Sequence, residues 1–209
     1  MPPTTETTVL EPPPRRGRPR DSGASDAILE ATIAVLAERG YQAATMDAIA
    51  AEAGVGKNTI YRRWASKEEL IADAVDELGT EIAIRDGDLH TVLLELIRDL
   101  ARVFADPRVG RVLPGVLGEL PRNPTFARVY ADRVVRPRHE AIVELLARAR
   151  ERGELRPEAD LDQVADLLVG PPFLRFLLPL GLPPVTERYA EALLETIWAG
   201  IAPDDQQRS

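Results

Sequence analysis

Between Thr45 and Trp64 the chain carries two helical patterns, each under ten residues, separated by Gly54-Val55-Gly56. Met46, Ile49 and Ala50 recur at helical spacing behind Thr45, a residue suited to cap a helix, and Gly54 stops the run. A second short helix is expected from about Gly56 to Trp64. Helices this short are marginal alone in water, so they must pack against one another and against a longer neighbour. Ala48, Ala50, Ala51 and Ala53 allow close approach, and Val55 and Ile60 can fill the angle between the two helices. The longer neighbour is expected from Ser25, a plausible N-cap, to Arg39. Ile28, Ala31, Val35 and Leu36 share one of its faces, and Gly40 is a natural residue to end it.

Beyond this head the pattern stays helical. Ser66-Lys67-Glu68-Glu69 fits a capping box, and Leu70, Ile71, Ala74, Val75 and Leu78 carry a helix to about Ile84. Further helices are expected over 89–105, 108–120, 124–152, 161–178 and 185–201, with Asn123-Pro124 as a start and Gly153 as a stop. Pro137 should kink or break its helix, and Pro171-Pro172 should mark a break. No sustained two-residue alternation and no internal repeat occurs. The expected fold is all-α, with about nine helices. Residues 1–24, rich in Pro and Thr, read as a disordered basic arm, and 204–209 as a disordered tail.

Composition bounds the function. The 209 residues contain no Cys, which excludes disulfides, thiolate metal sites and a cysteine nucleophile. No apolar N-terminal stretch resembles a signal peptide, and the apolar region from Leu167 to Leu182 is interrupted by Arg175 and three prolines. It falls short of the roughly 20 residues a membrane span needs. The reading is a cytoplasmic protein with no membrane partner. The net charge of −8 is unevenly spread: up to Lys67 there are nine basic and eight acidic residues, and afterwards seventeen against twenty-six. Two acid-free blocks, Arg15 to Arg20 and Gly54 to Lys67, concentrate positive charge, and local clusters of this kind set affinity for nucleic acid.

Two short helices joined by a Gly-containing turn form the geometry that lets the second lie in a DNA major groove. Its outward residues, Lys57, Asn58, Thr59, Tyr61, Arg62 and Arg63, are donors and cations suited to base edges and phosphates, with no acid among them. Gly54-Val55-Gly56-Lys57 imitates a phosphate loop, but Ala51 stands where that motif needs Gly and Asn58 where it needs Ser or Thr. Enzyme chemistry finds little support. His90 and His139 are the only imidazoles, His139-Glu140 lacks the second His of a zinc-protease helix, and no Gly-rich nucleotide turn or nucleophile elbow occurs. No catalytic residue, metal ligand or cofactor is expected.

The stretch Gly40-Tyr41, Thr45-Met46-Asp47-Ala48-Ile49-Ala50, Ala53-Gly54-Val55, Thr59-Ile60-Tyr61 and Lys67-Glu68-Glu69-Leu70 resembles the tetracycline-repressor-like family of bacterial regulators. The match covers about residues 25 to 72; the remainder is similar only in helix count and length. The resemblance implies a DNA-binding head over 25–67 and a larger helical domain over 68–203 that binds a ligand and dimerises. It implies that Thr45, Thr59, Tyr61 and Lys67 hold phosphates, while Lys57, Asn58, Arg62 and Arg63 face bases, with Trp64 packing.

By the same resemblance the last two helices form the homodimer surface, through Leu167, Leu168, Leu174, Leu178, Leu193, Leu194, Ile197 and Trp198. An unknown small-molecule effector would bind among Leu96, Phe104, Leu117, Phe126, Tyr130 and Val134, which ordinary core packing explains equally well. Repression of a promoter by binding double-stranded DNA is the family's usual mode. Ahead of the fold, Arg15-Arg16-Gly17-Arg18-Pro19-Arg20 resembles an AT-hook. Arg16, Arg18 and Arg20 either enter a narrow minor groove or belong to a solubilising tail.

Overall fold

The computed structural model describes residues 22–79, 87–177 and 183–203. Helix α1 spans Ser22–Ala43, with Gly40 at φ 73° inside it, where the helical geometry breaks and the chain turns toward Thr45. Ser25 was expected as the cap, yet it lies inside α1. Its hydroxyl instead accepts from Arg63 Nε at 3.0 Å. Helix α2 covers Met46–Glu52 and is capped by Thr45, whose side chain accepts from the Ala48 N–H at 3.1 Å. Gly54, at φ 65°, supplies the left-handed turn into α3, Lys57–Tyr61. Helix α4 is Lys67–Leu78. Ser66 accepts from the Glu69 N–H, and the Glu69 carboxylate reaches back to the N–H of Ala65, one residue before the position a capping box uses. It was expected to reach about Ile84, but it ends at Leu78, where Gly79 leaves helical geometry at φ −87° and ψ 85°; residues 80–84 lie outside the described residues.

Helix α5 is Leu89–Ala105 and α6 is Pro107–Leu117, shorter than expected at its end and holding Pro114 internally. Helix α7, Pro124–Tyr130, is capped by Asn123 and continues through a π-helical turn, Ala131–Val135, into α8, Arg136–Glu151. The wide turn is the answer to Pro137. The Arg136 N–H pairs with the Ala131 carbonyl, five residues back, so the helix changes register just before the residue that cannot donate. Helix α9, Leu161–Leu177, runs through Pro171 and Pro172, where a break was expected. Gly170 offers the Pro171 ring no Cβ to meet, which removes part of the usual clash. Helix α10 is Glu187–Ile201, capped by Thr186. Counting 124–151 as one continuous helix, the described residues form nine helices and no strand.

The chain divides into two compact units. One comprises described residues 22–79 and 103–138. In it α4 packs against α1, α6, α7 and the π turn, and α1 against α2 and α6. Ile28, Met46, Ile49, Ala50, Ile60, Trp64 and Leu70 form a buried cluster joining the first four helices. The other unit comprises residues 87–102, 139–177 and 183–203, where α9 packs against α10 and Leu93, Ile97, Leu146, Leu168 and Leu194 are fully buried. Among the described residues no helix is long and apolar enough to cross a membrane.

Candidate nucleic-acid interface

Helix α3 buries one residue, Ile60, in the cluster and leaves its remaining side chains outward. Asn58 and Arg62 are exposed, and Arg62 has no carboxylate partner among the described residues. Tyr61 is 54% exposed despite its large ring. Lys57 is also exposed, with its ammonium 2.5 Å from Asp47 Oδ1 on α2. Thr45 is exposed while capping α2, so its hydroxyl hydrogen remains available to an acceptor. These residues lie on three consecutive features of the fold: the start of α2, the face of α3 and its last turn. Their polar groups differ in kind, from a phenol to an amide to guanidinium and ammonium groups, so they can meet base edges and phosphates together.

Two residues assigned to this surface from the sequence are turned inward. Arg63 is half-buried, with Nε on Ser25 and Nη1 on the Thr59 carbonyl at 3.1 Å, which ties the end of α3 to α1. Lys67 donates to the Tyr41 carbonyl at 2.6 Å, and its ammonium stands 4.1 Å from the centre of the Tyr41 ring. Burial lowers its pKa, with the nearby charges of Glu68 and Glu119 opposing. Thr59 is half-buried as well, and its carbonyl holds Arg63.

Tyr41 organises the back of the site. Its ring lies 4.9 Å from that of Phe126, and Asn123 Nδ2 approaches both Tyr41 Oη and Glu68 Oε1 at 3.4 Å. Burial, reinforced by Glu68 and Glu119, pushes the Tyr41 phenol up to about 12. Trp64 is buried, and its indole N–H donates to Asp73 Oδ2 at 2.8 Å. Asp73 and Arg133, which meet at 2.8 Å, carried no sequence signal, because their partners stand at spacings set only by the fold. Ser25 reads from the sequence as a cap and not as a partner of Arg63, and for Asp47 the cationic block from Gly54 to Lys67 was the available hint.

The remaining expected residues fall as follows. Phe126, Tyr130 and Val134 are buried on one face of the α7–π turn segment. Leu117 and Phe104 are partly buried in the same unit, and Leu96 is buried in the other. Leu168, Leu194 and Ile197 lie in the chain's own core, whereas Leu167 and Leu174 are 46% and 49% exposed and Leu193 and Trp198 partly so. Arg16, Arg18, Arg20 and Leu178 lie outside the described residues. Among the described residues no group of His, Asp and Glu is arranged to hold a metal ion.

Comparisons agree with this geometry. Residues 28–74 match the bacterial regulatory proteins of the tetR family, and residues 84–197 match a tetracyclin repressor-like C-terminal domain. The HTH-type transcriptional regulator YdeS of Bacillus subtilis (strain 168) is 33% identical over 189 residues, which cover 90% of this chain and 94% of that protein. The DNA-binding transcriptional repressor TetR of Mycobacteroides abscessus is 31% identical over 162 residues, covering 76% of this chain and 84% of the other. The crystal structure of the TetR family transcription regulator SCO0332 superposes with a TM-score of 0.68 at 29% identity, over 87% of this chain and all of that one. With both parts matched and relatives aligned over most of their length, the chain belongs to the tetR family of helix-turn-helix transcriptional regulators.

Proposed function

We propose that this regulator is a ligand-responsive repressor that binds a pseudo-palindromic operator as a homodimer and is released by a small-molecule effector. The observation that carries the DNA-reading part is the outward face of α3, where Lys57, Asn58, Tyr61 and Arg62 stand exposed on a helix anchored by Ile60. Tyr61 and Thr45 suit phosphates, and Asn58 and Arg62 suit base edges. Arg63, turned inward, serves mainly to hold the end of α3 to α1, and Lys67 holds the start of α4 to Tyr41, with two of its donors left for a phosphate. Residues 25–67 act as the reading head and 68–203 as the sensing and dimerising part. A five-residue recognition helix reads too few bases for high specificity, so two copies on half-sites about 34 Å apart or somewhat more are required. The exposed Leu167 and Leu174 support α9 as part of the mating surface. A relative described as a repressor supports that sign of action. Arg16, Arg18 and Arg20 extend contact into an adjacent A·T-rich minor groove.

The test is selection of fragments from sheared genomic DNA by the full-length protein, at near-physiological salt and without added ligand. A single pseudo-palindrome beside a promoter is expected, with binding that weakens steeply as salt rises. Recovery of A·T-rich fragments without a repeat would assign binding to the arm. Recovery of no DNA at any salt would overturn the reading.

A further inference from the structure

Helix α3 is too short to hold its own direction, so its aim depends on what its C-terminal end is tied to. Arg63 ties that end to α1, and two further donors leave it toward α4. The Trp64 indole donates to Asp73 Oδ2 at 2.8 Å, and the Ala65 N–H donates to Glu69 Oε2 at 3.0 Å. Both acceptors are carboxylates on α4, one helical turn apart, a spacing at which like charges repel. A single cation serves both: Arg133 Nη1 stands 2.8 Å from Asp73 Oδ1 and 3.1 Å from Oδ2, and its Nη2 stands 3.4 Å from Glu69 Oε2. The planar guanidinium bridges the two acids with a fixed fork of donors, which an ammonium would do with less directional control.

Arg133 occupies the middle of the π turn. A helix changes register there by one residue, which turns everything on one side by about 100° relative to the other. The same segment buries Phe126, Tyr130 and Val134. One turn further on, Arg138 fixes the far end of α4, donating to the Asp76 and Gly79 carbonyls at 3.0 and 2.8 Å. The direction of the Arg133 side chain is therefore set by the register of one helix and reaches the residues that follow another.

We propose that Arg133 is a positioning residue for DNA recognition, holding the recognition helix through Asp73 and Glu69 to Trp64 and Ala65 without touching DNA. The inference rests on the DNA-reading role of α3. It deepens that role by naming how the α7–α8 segment governs it. A ligand that repacks Tyr130 or Val134 would reach the end of α3 through the Arg133 guanidinium.

The test uses the full-length protein with Arg133→Ala, Arg133→Lys, Asp73→Asn and the double variant Arg133→Ala/Asp73→Asn. The chain has two tryptophans, so the Trp64 indole N–H resonance is assigned by its loss in Trp64→Phe. Its shift and hydrogen-exchange rate are then followed without DNA, beside operator affinity at a temperature where every variant is folded. Arg133→Ala is expected to move the Trp64 resonance, speed its exchange and weaken operator binding about three- to thirtyfold. Arg133→Lys should recover part of the loss. Asp73→Asn should match Arg133→Ala, and the double variant should be no worse than either single one, because the residues act in one chain of contacts.

An unmoved Trp64 resonance with unchanged affinity in Arg133→Ala would overturn the proposal, as would losses that multiply in the double variant. Where Arg133→Ala does not fold, Arg133→Lys and Asp73→Asn carry the same comparison. If the wild-type protein binds no DNA, the functional reading falls, and the Trp64 resonance still decides whether Arg133 holds the end of α3.

Discussion

In the unit built around α4, polar groups distant in sequence are matched inside the fold. Trp64 is matched to Asp73, Lys67 to the Tyr41 carbonyl, and Arg138 to the last turn of α4. In the unit holding α9 and α10 the polar ties lie at the surface. Arg98 bridges Glu95 and Glu187, His90 meets Glu195 beside the Trp198 ring, and His139 faces Asp162 and Asp166. There large apolar side chains stand in water. The first unit pairs its inward donors and leaves Tyr61 and Val135 half exposed at separate places; the second leaves Leu167 and Leu174 exposed together on one helix, whose other face, with Leu161, Val164 and Leu168, is already packed. One unit holds the candidate reading face by matched polar groups, and the other carries its exposed apolar pair on α9.

The largest expected effect attacks the second half of that comparison. Leu167 and Leu174 lie outside the fully buried core, so with Leu167→Glu and Leu174→Glu together the helices should remain and the head should unfold as before. If α9 mates with a second copy, sedimentation should report a monomer. Operator affinity should then fall by about 10²- to 10⁴-fold, the gain that linking two half-site contacts provides. A double variant that stays dimeric and keeps its affinity would place the mating surface elsewhere and leave the exposed leucines without that role.

A smaller effect probes the first half. The phenols of Tyr41 and Tyr130 are both pushed up to about 12, Tyr41 by burial with Glu68 and Glu119, and Tyr130 by burial first. A folded pKa above the unfolded one means the folded chain keeps a proton that the unfolded chain releases. The associated stability is complete below about pH 10 and is lost as pH rises through 12. For the deeply buried Tyr130 the loss is on the order of 2 kcal/mol. Urea midpoints at pH 9 and pH 11.5 should separate, and Tyr130→Phe should narrow the gap. An equal gap in Tyr130→Phe would mean that the loosening comes from elsewhere in the chain.

The same contrast explains what could be read from the sequence. Local devices were legible because their physics is local: Thr45 and Ser66 cap the helices they precede, Gly40, Gly54 and Gly153 take positive φ where helices stop, and α5 has the boundaries its periodicity implies. The outward set on α3 followed from residue type. What escaped was non-local. Nothing in Lys67 or Arg63 says that their cations turn back to Tyr41 and Ser25, and nothing in Asp73 marks it as the acceptor for Trp64 nine residues earlier. Pro171-Pro172 misled in a similar way, read as a break from its own chemistry where the chain continues as helix, whereas Pro137, read as a kink or a break, is met by a π turn.

The smallest effect lies at a place where the head behaves like the other unit, with an ion pair in water. Lys57 and Asp47 are both more than half exposed, at 57% and 63%. An exposed pair of this kind contributes from nothing to about 1 kcal/mol. Asp47→Asn should therefore change stability by less than about 1 kcal/mol, even counting the acid's favourable place in the first turn of α2. Its effect on binding is more informative than its effect on stability. If Asp47 merely neutralises Lys57, the variant should bind every DNA more tightly, with a salt slope steeper by up to about 0.9 for the phosphate that Lys57 gains. Discrimination should then drop, because the added attraction is blind to sequence. If Asp47 instead aims Lys57 at a base, operator affinity should fall while binding to unrelated DNA holds or rises. Titrating operator and unrelated duplexes at two salt concentrations separates these cases. The second outcome would extend side-chain positioning from the buried end of α3 to its exposed start.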